Sequence, residues 1–290
     1  MYLYLNGKIL PETEASLSVN DHGFLFGAGF FETFRTFNGR PHLLEEHLGR
    51  LKAGCEQIQI RLPDSSIAEA EHMEPVLAEL LERNGLPDAV FRYTVAAGPA
   101  PGGLPRAPYT DPTELLVPRP VPELSEKPIS LHILRTRRNT EEFEPRPKSL
   151  AYLNSLAGHL ELREREIPPG DEGVMLSPGA HLSEGVTGNL FFILDDRLCT
   201  PDPSTGLLSG VTRQAVLALA EQFGIRIRED RFTLDDLTGA DAIFITNSVR
   251  GLSPAAKVIS EDDRLLWTGE SERHPVFTKL YQVYRDSLPS

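Results

Sequence analysis

The sequence predicts an α+β fold in two domains, and three observations predict it. Short strands of alternating polarity open the chain and join through hairpin dipeptides. Stretches of helical period follow at irregular intervals, without the strand–helix–strand rhythm of a doubly wound sheet. A proline-rich run, residues 118–128, then divides the chain.

The elements can be justified in order. MYLYLNGKIL reads as a hairpin with its turn at Asn6-Gly7, and FFETFRTFNGRPHLL repeats the pattern at Asn38-Gly39. From there the period becomes helical, with Leu44, Leu48, Leu51 and Cys55 on one face. Residues Ile67 to Asn84 read as a second helix, ended by Gly85 and Pro87. AVFRYTVAA is a strand running into GPAPGGLPRAPYTDP, a segment too rich in Gly and Pro to pack regularly. After the strand ELLV, the prolines of 118–128 suggest an interdomain linker between a domain of residues 1–117 and one of residues 129–290. In the second domain ISLHIL, EGVMLS, NLFFIL, IRIRED and AIFITN read as strands. Lys148 to Glu166 and Thr212 to Phe223 read as helices.

Composition narrows the function classes. A formal net charge of −13 argues against a nucleic-acid surface, which needs a basic face to displace counterions. It leaves open a small anionic ligand met by a few arginines. Cys55 and Cys199 stand far apart without a CxxC or Cys/His cluster, so neither a disulfide framework nor a metal site is expected. No run approaches a membrane span, and the N-terminus lacks the basic and apolar regions of a signal peptide. A cytoplasmic globular protein is the natural expectation.

Three places depart from plain packing logic. Lys148 precedes the stretch SLAYLNSLAGHLELRERE; such a lysine is ordinarily solvated, but apolar neighbours can lower its proton affinity enough for imine chemistry. Glu184, in HLSEGVTGNLFFI, is either an acidic surface-turn residue or a carboxylate aimed at a cofactor nitrogen, with Gly185 and Gly188 allowing close backbone approach. Ser209-Gly210-Val211-Thr212 precede an amphipathic helix, and such a start is either simply capped or a phosphate site.

The order of these three, together with EGVTGNLFF, LCTP, GLLSGVTR, LSVNDHGFLFGAGFFETFR and HLGRL, resembles the class IV aminotransferase family, also called fold type IV. Val186 stands where that signature is normally small or polar. The resemblance implies a D-amino-acid-aminotransferase-like fold, with a small N-terminal α/β domain and a larger C-terminal barrel-like domain. It also implies pyridoxal 5′-phosphate as cofactor and a homodimer. By the same resemblance Lys148 carries the cofactor and shuttles a proton, and Glu184 pairs with the pyridine nitrogen. Arg50, Val211, Thr212 and Ser248 hold the phosphate.

DHGFLFG, ETFR, RRNT and KSLAYLN are most similar to the motifs of bacterial aminodeoxychorismate lyases, which split 4-amino-4-deoxychorismate into 4-aminobenzoate and pyruvate. The alternatives are a transaminase of D-amino or branched-chain amino acids and a non-catalytic cofactor-binding protein. Gly102 and Gly103 stand where D-amino-acid transaminases carry Arg and His. Glu32, Arg92, Arg106, Arg137 and Arg138 are therefore the candidates for meeting a small anionic amine substrate.

Overall fold

The computed structural model describes residues 1–122, 127–140 and 142–289. The chain divides into two compact units: Met1–Pro122 with Pro147–Ala151 and Leu288–Ser290, and Glu123–Arg146 with Tyr152–Ser287.

In the first unit β1 (Tyr2–Leu5) and β2 (Lys8–Pro11) turn at Asn6-Gly7, whose φ values of 46° and 83° suit a tight hairpin. A short helix α1 (His22–Phe26) leads into β3 (Gly29–Phe37), which turns at Asn38-Gly39 into β4 (Arg40–Pro41). Helices α2 (Leu44–Gln57) and α3 (Ala70–Asn84) follow, then β5 (Ala89–Ala96) and β6 (Thr113–Pro120). The sheet is antiparallel throughout, in the order β2-β1-β6-β5-β3-β4. Phe30 and Phe34 of β3 and Phe91 of β5 pack with Leu48 and Leu51 of α2 and Leu77 of α3 in one core. Each such side chain, fully buried, contributes about 1.5–3 kcal/mol. Because strand side chains alternate, Glu32 shares that inward face, while Phe31 and Arg92 share the other.

Two local expectations shift. Helix α3 begins at Ala70 rather than Ile67, because the Glu114 carboxylate accepts the Ile67 N–H (3.1 Å) and the Ser66 hydroxyl (3.0 Å). A side-chain acceptor there holds the chain outside the helix. Pro118, Arg119 and Pro120, expected in the linker, belong to β6. At that end β6 pairs with β5 alone, so the missing proline N–H groups break no second ladder. Residues 123–126 of the expected linker lie outside the described residues.

The second unit contains β7 (Ile129–Ile133), α4 (Leu153–Glu164), β8 (Glu172–Leu176), β9 (Leu182–Gly185), β10 (Asn189–Leu194) and β11 (Arg197–Pro201). Then come α5 (Val211–Gln222), β12 (Ile227–Asp230), α6 (Leu234–Thr238), β13 (Ala242–Asn247), β14 (Gly251–Ile259), β15 (Leu265–Thr268) and α7 (Pro275–Asp286). The path β10-β13-β14-β7-β8-β9 returns to β10, so six strands close into a barrel. Its seam is the pair Asn189↔Glu184, so the segment carrying the sequence signature closes the barrel. Leu131, Val174, Leu190, Phe192, Ile243 and Val258 pack together in the core. Phe191 and Phe244 stack on each other, and Phe277 of α7 meets Phe244 edge-on.

Two crossovers are parallel, β7 to β8 around α4 and β11 to β12 around α5, which the irregular sequence rhythm concealed. The helix expected from Lys148 begins instead at Leu153. Residues 148–150 run in extended pairing along β3: Phe31 donates to the Lys148 carbonyl and Leu150 to that of Gly29, both at 2.9 Å. The edge of β3 offers partners that the local sequence cannot announce. No described helix is long and apolar enough to cross a membrane.

Candidate active site

In the first unit the extended pairing fixes Lys148 beside β3, with its Nζ 5.0 Å from the Phe31 ring centroid. The Arg92 guanidinium stacks on the same ring at 3.6 Å, so an amine and a fixed cation share one aromatic side chain. Arg92 is exposed.

Glu32 and Arg50 are occupied with each other. The fully buried Glu32 carboxylate accepts from Arg50 Nε (2.7 Å) and Nη2 (2.6 Å) and meets His47 Nδ1 at 2.7 Å. Burial pushes the Glu32 carboxyl up, but Arg50 and His47 together outweigh it and hold its pKa at about 2. His47 is moved down by its own burial, against the pull of Glu32. Alternation turns Glu32, a candidate for meeting substrate, toward α2, where its charge fixes the plane of the Arg50 guanidinium.

In the second unit Glu184 is buried, not the residue of a surface turn. Its Oε1 lies 2.7 Å from Arg138 Nε, and its Oε2 accepts from the Leu208 N–H (3.0 Å) and Asn189 Nδ2 (3.3 Å). Asn189 Nδ2 also donates to the Leu208 carbonyl at 2.8 Å. Side chain and backbone thereby tie Glu184 to the segment entering α5. The glycines around Glu184 permit tight crossing: a Cβ on Gly188 would sit 2.4 Å from Ile245 Cγ2 and 2.7 Å from the Thr246 carbonyl. Beneath this turn the buried Glu172 accepts from the Thr187 hydroxyl at 2.7 Å, and burial raises its pKa.

Helix α5 starts at Val211, with Gly210 as its N-cap and no capping side chain. Val211 and Thr212 are buried, and Thr212 Oγ1 lies 3.4 Å from Ser248 Oγ. A buried helix start without a capping side chain calls for an acceptor from elsewhere, and a phosphate is chemically suited to that role. Arg137 donates to the Leu134 carbonyl and pairs with Glu261 at 3.1 Å. Gly102, Gly103 and Arg106 lie exposed in the 98–112 segment. The donor set in the second unit, an ionisable carboxylate tied to an uncapped helix start with two hydroxyls, fits a cofactor bearing a phosphate and a basic ring nitrogen. Sequence reasoning missed His47, Asn154 and Glu172. His47 and Asn154 carried a usable signal in the motifs HLGRL and KSLAYLN, whereas Glu172 carried none.

Comparison with known proteins identifies the family. The family model for amino-transferase class IV matches residues 29–258. The aminodeoxychorismate lyase of Bacillus subtilis is 35% identical over 262 residues, covering 88% of this chain and 86% of that protein. A Methanocaldococcus jannaschii protein bearing a branched-chain-amino-acid aminotransferase name is 34% identical over 288 residues, covering 99% and 96%. The crystal structure of 4-amino-4-deoxychorismate lyase from Pseudomonas aeruginosa aligns with a TM-score of 0.83 at 28% identity, covering 98% of each chain. With its signature on the barrel seam and its family model spanning both units, the chain belongs to the class IV aminotransferase family.

Proposed function

We propose that this chain is a pyridoxal 5′-phosphate-dependent lyase that converts 4-amino-4-deoxychorismate to 4-aminobenzoate and pyruvate. The observation that carries the cofactor is the buried Glu184 carboxylate tied through Asn189 and Leu208 to the uncapped start of α5. When bound, that cofactor supplies an electron sink for the bond broken at the amine-bearing carbon. Lys148 is the amine that would hold it, and the same amine would take the proton at that carbon. Glu184 accepts the ring N–H. Val211 and Thr212 of α5, with Ser248 and Arg50, bind the phosphate.

Arg92, stacked on the ring that Lys148 also approaches, is the arginine we assign to a substrate carboxylate. Identity of 35% to the B. subtilis lyase supports the choice of reaction. A second reading, a branched-chain transaminase, rests on the 34% identity to the M. jannaschii protein over nearly the whole chain. We propose a homodimer as well: Leu17, Val19, Phe24, Leu25 and Phe26, within ten residues of one another in sequence, are all exposed in the first unit. The buried free thiols of Cys55 and Cys199 suit a cytoplasmic setting.

The deciding experiment supplies aminodeoxychorismate without any keto acid and looks for 4-aminobenzoate and pyruvate. Their stoichiometric release is expected. No release, with rapid leucine-dependent turnover restored by 2-oxoglutarate, would establish the transaminase instead.

A further inference from the structure

Arg138 was a candidate for the substrate carboxylate, and its surroundings point elsewhere. The side chain is buried, and its backbone N–H donates to the Leu176 carbonyl at 2.8 Å, locking it against β8. Nη1 donates to Asn154 Oδ1 at 2.7 Å, and Asn154 Nδ2 returns to the Arg137 carbonyl at 2.9 Å. The remaining edge faces Glu184, where Nε lies 2.7 Å from Oε1. The Nε–H is not aligned along that contact, so the pairing is one of charge more than of a directed hydrogen bond.

We infer that Arg138 is a positioning residue whose charge keeps Glu184 ionised toward the cofactor ring, and that it does not anchor the substrate. This rests on the proposed cofactor. The physical need is plain: a buried carboxylate without a positive partner takes up a proton. The Leu208 N–H and the Asn189 amide that also reach Glu184 are neutral donors and add no positive charge. Glu172 packs below Gly185, whose Cβ would meet its Cγ at 3.1 Å, and can only add negative charge. Arg250 interacts with Glu172 electrostatically, whereas the Arg138 cation is in direct contact with Glu184. An ionised Glu184 accepts a ring N–H and keeps the ring cationic. A protonated Glu184 no longer supplies the negative charge that favours a cationic ring, and the ring then draws electrons poorly.

The test uses infrared spectra of the cofactor-free protein and kinetics of the pyridoxal phosphate-loaded protein. Arg138→Met should show a new protonated-carboxyl band at neutral pH, lost in Arg138→Met with Glu184→Gln. Arg138→Lys, which restores charge without the fork, should lack the band. In the loaded enzyme Arg138→Met should lower kcat more than it raises KM, whereas loss of a substrate anchor would chiefly raise KM. If Arg138→Met fails to fold, adding Glu184→Gln should restore folding, because the glutamine needs no counter-charge. Absence of the band in folded Arg138→Met, a KM effect alone, or no recovery in the double variant would each overturn the assignment. A parent protein that takes up no pyridoxal phosphate would remove the proposed function, while the infrared result would still decide the pairing.

Discussion

Lys148 and Glu32 show what a single residue reveals by itself. Lys148 stands out by its place in the order of motifs, and its backbone pairs with β3. Borohydride reduction of the pyridoxal phosphate-loaded protein should label the peptide containing Lys148. A label on Lys52, Lys127 or Lys257 would defeat the assignment. Glu32 was legible as a charged residue in a strand but not as a buried one. With its folded pKa at about 2, the carboxylate contributes on the order of 3 kcal/mol to stability at neutral pH. The sign follows from the depressed pKa: the contribution is complete above the unfolded pKa, near 4.5, and is lost as pH falls toward 2. Glu32→Gln should therefore lower the denaturant midpoint strongly at pH 7 and little near pH 2, and pyridoxal phosphate should escape faster as Arg50 loses its brace. An unchanged midpoint at pH 7 would show the pair to be energetically idle.

At the scale of elements, α2 and the two hairpins follow from sequence because their signals are local: a leucine spacing of one face, and Asn-Gly turns with positive φ. Strand β9 was missed because four residues of mixed polarity carry no periodic signal, and only closure of the barrel buries them. Entry to α5 shows how tightly the elements meet. Gly210 has an ordinary extended backbone, yet a Cβ there would lie 2.1 Å from Asn189 Oδ1. Gly210→Ala should thus displace Asn189 at a cost of about 1–3 kcal/mol. Because Asn189 also holds Glu184 and Leu208, the variant should bind pyridoxal phosphate more weakly in equilibrium titration. Parent-like affinity together with parent-like melting would separate the helix start from Glu184.

For the whole molecule, buried histidines predict how stability responds to acid. Burial pushes His42 down to about 4 and lowers His47 as well. As pH falls below the ordinary value of 6.5, the unfolded chain takes up protons that the folded one refuses, so stability declines from there toward pH 4. Denaturant midpoints should fall over that window, before Glu32 begins to titrate, and His42→Asn should flatten the slope. A midpoint constant from pH 7 to 4 would contradict this. The exposed group around Phe24 and Leu25 gives a second global prediction. Phe24→Asp with Leu25→Asp should shift the proposed dimer toward monomer in sedimentation velocity, without loss of helical signal. A variant that stays dimeric would assign that surface elsewhere.

By itself the sequence determined the turns, the apolar faces of the helices, and the chain order of lysine, glutamate and helix start that marks the family. These signals reside in a few neighbouring residues, where backbone preference and side-chain period act without help from the rest of the chain. Only the tertiary structure decided that Lys148 lies along β3 instead of in a helix, that Glu32 serves Arg50, and that Arg138 faces Glu184. In each case the partner is distant in sequence. An open strand edge or a buried charge takes whichever complementary group the fold brings to it, and no local pattern encodes that choice.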